Sequence, residues 1–208
     1  MRKAIVLLAV LWLISAASSA SAADVFMGFK GGINITDMTG SDVPTDSTDA
    51  RYGFIGGIFF DIRVHERFSL QPELLFSMKG FSMDVDGIDV GLELNYVQIP
   101  VLLKLHPLLA NDAVDPSIYA GPVLGVNVKS EVVGEENGVS VGLDVSDMTK
   151  DFEFSLVIGA GLDITAGPGY IVIDLRYDYG LTSIDDSGGD EDIKNWALGI
   201  MVGYGFAL

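Results

Sequence analysis

Residues 170–180 read YIVIDLRYDYG, and this stretch decides the fold. Ile171, Ile173, Leu175, Tyr177 and Tyr179 fall on one side of an extended chain, while Asp174, Arg176 and Asp178 fall on the other. A helix would scatter these side chains around its circumference. A strand sorts them into an apolar and a charged face, because successive side chains point to opposite sides.

The same period recurs in both directions along the chain. Residues 25–35 set Val25, Met27, Phe29, Ile33 and Ile35 against Lys30 and Asn34, and residues 69–81 set Leu70, Leu74, Phe76 and Met78 against Gln71, Glu73, Ser77 and Lys79. Residues 52–62, 92–105, 117–129, 151–165 and 195–208 follow it less cleanly; Ile55 and Phe59 blur the second of the polar faces, and Leu92 and Leu94 run out of phase with Val97 to Leu105. With 170–180 these make eight predicted strands.

The links alternate as well. Residues 36–51, 82–91, 130–150 and 182–194 are long, whereas 64–68 and 166–169 are short and 106–116 is intermediate. Long links therefore all fall at one end. An even strand number with short turns at one end and long loops at the other predicts an all-β fold, an eight-stranded antiparallel up-and-down transmembrane β-barrel with periplasmic turns and extracellular loops. The long links hold 17 of the 29 acidic residues, so an apolar wall with an acidic rim reconciles a net charge of −17 with a positive mean hydropathy.

Composition removes several functions. The chain of 208 residues has no Cys, which excludes disulfides, thiolate metal sites and a Cys nucleophile. Only 12 Lys and Arg are present, and so acidic a balance argues against nucleic acid as a partner. Arg2 and Lys3, the apolar run 4–14 and Ala20-Ser21-Ala22 read as a signal peptide over 1–22, which leaves a barrel domain over 23–208. The apolar run is too short for a membrane-spanning helix, and losing Arg2 and Lys3 takes the charge to about −19.

Gly31-Gly32-Ile33-Asn34, Gly53-Phe54 with Gly56-Gly57, Leu70-Gln71-Pro72-Glu73-Leu74 with Lys79-Gly80, Tyr96-Val97-Gln98-Ile99-Pro100, Tyr119-Ala120-Gly121-Pro122 and Asp174-Leu175-Arg176-Tyr177 occur in this order. Together they resemble the PorT-like outer-membrane β-barrel family of Gram-negative bacteria, over essentially the whole mature chain. The resemblance implies residence among outer-membrane lipids and insertion by the outer-membrane barrel assembly machinery. Such barrels usually end on an aromatic residue, whereas this chain ends Phe206-Ala207-Leu208.

The main physical rival is a soluble periplasmic barrel of the lipocalin kind, with its apolar face inward. The polar faces here carry Gly and isolated charges of both signs rather than a solvated Lys and Glu surface, which favours the membrane barrel. Phe26, Phe29, Tyr52, Tyr170, Tyr179, Trp196, Tyr204 and Phe206 lie near strand ends and are candidates for interfacial aromatic girdles.

Candidate chemistry is sparse. His65 and His106, the only histidines, fall in or beside the short-link end and away from any carboxylate on the same strand face, so no catalytic triad and no enzyme is expected. No cofactor is implied. Asp84, Asp86 and Asp89, with Asp185, Asp186 and Asp190, are weak calcium candidates without EF-hand spacing. Lys30, Glu73, Lys79, Asp174, Arg176 and Asp178 are predicted to share the narrow interior and to pair there. The expected role is structural, adhesive or envelope-interacting, towards an unidentified partner. A porin is the alternative, disfavoured because eight strands leave an interior that side chains fill.

Overall fold

The computed structural model describes residues 24–39, 49–85, 88–107, 113–136, 139–184 and 193–208. Among these residues nine strands follow one another: β1 (Asp24–Thr39), β2 (Asp49–His65), β3 (Phe68–Val85), β4 (Ile88–Leu105), β5 (Val114–Glu136), β6 (Val139–Asp144), β7 (Phe152–Ala166), β8 (Gly169–Gly180) and β9 (Lys194–Ala207). Every pairing is antiparallel, and the order β4-β3-β2-β1-β9-β8-β7-β5 closes on itself through β4–β5. Eight strands thus form a closed barrel, which leaves no edge in its wall. A 3₁₀ turn at Ser146–Met148 is the one helical element among the described residues. No helix there is long and apolar enough to cross a membrane, so any crossing is made by strands.

Alternation turns the apolar faces outward. Phe29 is 60% exposed, Phe154 54%, Leu175 48% and Val202 57%, whereas Lys30, Glu73, Asp174 and Arg176 are buried inside. A lipocalin-like barrel has the reverse arrangement, and the soluble alternative therefore fails. An exposed apolar belt around a polar interior is what a hydrocarbon solvent demands.

Two of the predicted long links are corrected. Strands β3 and β4 run on until only Asp86 and Gly87 separate them, with Val85 opposite Ile88, so 82–91 is mostly ladder. Residues 130–150 likewise become a hairpin, in which β5 continues to Glu136 and β6 folds back on it from Glu131↔Asp144 to Glu136↔Val139. Asp86-Gly87, between Val85 and Ile88, and Asn137-Gly138, between Glu136 and Val139, are two-residue hairpin signatures, a signal that outweighs the local acidity. The wall over β3 to β6 thereby stands taller than that over β8 and β9 at the end remote from Leu208, here called the distal end.

The out-of-phase Leu92 and Leu94 face inward without any break in the strand. Leu94 is buried with Met38, Tyr96 and Ile184, and Phe81, Leu92 and Ile193 pack around this cluster to cap the lumen distally. Tyr170 is a second correction: it lies inside with Phe59 and Val172, edge-on to Phe26 at 5.4 Å between ring centroids, and belongs to no girdle. Its even number puts it on the Asp174 face. Lumen glycines give such rings their space. A Cβ on Gly205 would come within 2.6 Å of the Tyr170 ring, and one on Gly159 would strike the Tyr119 ring and hydroxyl.

Candidate functional site

Midway along the lumen four charges form one layer. Lys30 on β1 donates to Glu73 Oε1 and to Asp174 Oδ2, each at 2.7 Å. Arg176, two residues beyond Asp174 on β8, donates Nη1 to Glu73 Oε2 at 2.8 Å, Nη2 to Glu73 Oε1 at 3.2 Å, Nε to Asp174 Oδ1 at 2.9 Å and Nη2 to Asp174 Oδ2 at 2.8 Å. Two cations meet two anions, so the layer is neutral. Tyr119 on β5 donates to Asp174 Oδ1 at 2.7 Å, and Gln71 donates to Glu73 Oε1 at 2.5 Å. Desolvating single charges here would be prohibitive; pairing each with two partners offsets that cost.

Lys79 and Asp178 sit in a separate, more distal layer rather than with the other four. Lys79 Nζ reaches Glu153 Oε2 at 2.9 Å and Asp178 Oδ2 at 3.1 Å, with Gln98 donating to the same Asp178 oxygen at 2.9 Å and Asn195 to Glu153 Oε1 at 3.0 Å. Its ammonium also lies 5.5 Å from the Tyr96 ring centroid. Glu153 was not among the predicted interior residues, although it alternates with Phe152 and Phe154 and so declares its face.

The third layer, towards the opposite end, was also missed. Lys104 bridges Asp61 at 2.9 Å and Asp163 at 3.4 Å, and Arg63 pairs with Asp115 at 2.7 Å. Here the reading of the histidines is corrected. His106 is buried, with Nδ1 3.1 Å from Asp115 Oδ1 and Nε2 3.1 Å from Ser69 Oγ. Barrel closure brings three strands' residues together that no single strand face contains. The row resembles a Ser-His-Asp relay in its atoms, but Ser69 has no solvent exposure and Asp115 is shared with Arg63.

Elsewhere the described surface is indented in at least two places. A distal cleft of about 420 Å³ is lined by Arg51, Tyr52, Ser82, Gly91, Glu93 and Val133, with Arg51 paired to Glu93. A groove of about 460 Å³ on the outer wall runs between Ile118, Ile158, Ala160, Leu175, Tyr177 and Leu198. Among the described residues no three His, Asp or Glu side chains are gathered to hold a metal. Of the calcium candidates, Asp86, Asp185, Asp186 and Asp190, and the side chains of Asp84 and Asp89, lie outside the described residues.

A closed eight-stranded barrel with a lipid-exposed apolar belt and an ion-paired interior defines the class of small outer-membrane barrels. The family described as "Outer membrane protein beta-barrel domain" matches residues 17–186, and the chain belongs to that family. Among solved structures, a major outer membrane protein from Thermus thermophilus is 11% identical, covering 90% of this chain and 100% of its own, with a TM-score of 0.55. OprG from Pseudomonas aeruginosa is 15% identical, covering 89% and 97%, with a TM-score of 0.48. Ail, the attachment invasion locus protein of Yersinia pestis, is 16% identical, covering 88% and 99%, with a TM-score of 0.46. At such identities the likeness is one of fold alone. No curated protein matches the chain in sequence.

Proposed function

We propose that this protein is a non-conducting outer-membrane barrel that presents its tall distal hairpins outside the cell, in a structural, adhesive or envelope-interacting role. The observation that carries the reading is the central layer: Lys30, Glu73, Asp174 and Arg176 meet across the lumen from three strands and are all buried. An ion crossing the barrel would have to break these bonds, which makes a porin role the weaker alternative. Ser69, sealed inside, supports a role without catalysis. The signal peptide and the PorT-like motifs support export to the outer membrane with the short links periplasmic and the acidic links outside. Purified protein in a planar bilayer is expected to show no stable conductance steps, and protease added to intact cells is expected to cut the distal links. Stable, ion-sized steps would overturn the plugged barrel; protection from protease would reverse the topology.

A further inference from the structure

The β5–β6 hairpin leaves one edge open. Among the described residues β6 pairs with β5 alone, so every second residue turns its N–H and C=O away from any strand. Open edges are normally blunted by Lys, Pro or a bulge. Residues 139–144 read VSVGLD and contain none of these.

Directly opposed side chains in an antiparallel pair share a face. Val132 opposes Leu143 and Gly134 opposes Val141, while Glu131 opposes Asp144 and Val133 opposes Gly142. One face is thus aliphatic; the other carries Asp144 and Glu131, the latter held by Lys129 at 2.8 Å. Val141 is 63% and Leu143 67% exposed. Val132 in turn opposes Leu92 of β4, which packs on the distal cap, so the aliphatic face continues the apolar surface that closes the lumen. The rest of the chain has little to lay over it: residues 40–48 and 185–192, in the other two distal links, read GSDVPTDST and DDSGGDED. A second copy is disfavoured too, because it would bring two chains of net charge −17 edge to edge. Hydrogen bonds from the Ser146 side chain and backbone amide hold the Asp144 carboxyl below its ordinary range, so the acidic face keeps its charge.

We infer that β6 is a docking edge for an extended segment of a partner protein, which adds as a strand beside residues 141–144. Its apolar side chains cover Val141 and Leu143, and its alternating Lys or Arg side chains meet Asp144 on the reverse face, where Lys129 already holds Glu131. The inference deepens the outward-facing role proposed above.

The test uses the mature protein in nanodiscs of zwitterionic lipid, where both ends are accessible, so its outcome does not depend on orientation in the cell; surface proteolysis answers that question separately. The probe is a fluorescent peptide of strictly alternating lysine and valine, and the control has the same composition with a central proline that blocks strand pairing. Saturable binding of the probe is expected, weakened about tenfold or more by the proline and by the double variant Val141→Thr/Leu143→Thr. Retained unheated gel mobility shows that the variant barrel is folded, and Val141→Lys is a second variant expected to weaken binding to a similar extent. Equal binding of the proline peptide, or undiminished binding by the folded variants, would overturn the docking edge and reduce the contact to bulk charge.

Discussion

Arg176 spans the barrel to hold both carboxylate oxygens of Glu73, at 2.8 and 3.2 Å, from a position 103 residues away in the chain. Arg176 also holds Asp174, and Lys30 bridges Glu73 and Asp174, so two cations and two anions close one neutral set. The barrel is therefore cross-braced at mid-height by charge.

Arg176→Ala strands Glu73 and Asp174 against Lys30 alone. It should cost about 3 to 5 kcal/mol in urea-induced unfolding from lipid vesicles, and Glu73→Ala a similar amount. Combining Arg176→Met with Glu73→Gln should recover much of the loss, because no charge is then left unpaired. Equal unfolding midpoints for Arg176→Ala and the wild type would refute the brace.

Gly159→Ala places a methyl group against the Tyr119 ring and hydroxyl, which donates to Asp174. A destabilisation of about 1 to 3 kcal/mol is expected, as for overpacked cores. In the background Tyr119→Leu, where the ring is gone but the methyl still meets the Leu175 carbonyl oxygen at 2.6 Å, the same substitution should be milder without becoming neutral. An unchanged penalty there would point to backbone effects instead.

Ile173 lies on the outer apolar face of β8, whereas Leu143 lies on the hairpin beyond the barrel. Arg at Ile173 should cost about 2 to 4 kcal/mol by exposing charge to hydrocarbon. The same change at Leu143 should stay within about 0.5 kcal/mol. Folding titrations of the two variants side by side measure the difference, and a reversed order would mean that the membrane boundary is misplaced.

Ser69, with no exposure, should resist a fluorophosphonate probe in the folded barrel even at long exposure, despite its contact with His106. Intact-mass measurement reads the outcome directly. Stoichiometric labelling that vanishes in Ser69→Ala would establish a working nucleophile and reopen an enzymatic reading.

Much of this architecture was legible in residue parity. The alternation of Ile171 to Tyr179 with Asp174 to Asp178 assigned an inner and an outer face before any strand was paired, and the same rule, applied to Glu153, Asp163 and Tyr170, would have placed those residues inside as well. Acidity misled the reading at 82–91 and 130–150, where the dipeptides Asp86-Gly87 and Asn137-Gly138 were the stronger local signal.

By itself, the sequence determined the eight strands of the wall, their closed antiparallel order and the parity that separates inner from outer faces, because alternation is a local property of the extended backbone. Only the tertiary structure decided which charges meet. Arg176 finding Glu73, Lys79 standing apart with Glu153 and Asp178, and His106 lying between Ser69 and Asp115 all depend on strand register accumulated around the barrel and on the width of the lumen. Those quantities arise from the sum of eight pairings and from register shifts such as those between Ala50 and Ile55 and between Asn95 and Tyr96, and no single segment encodes them.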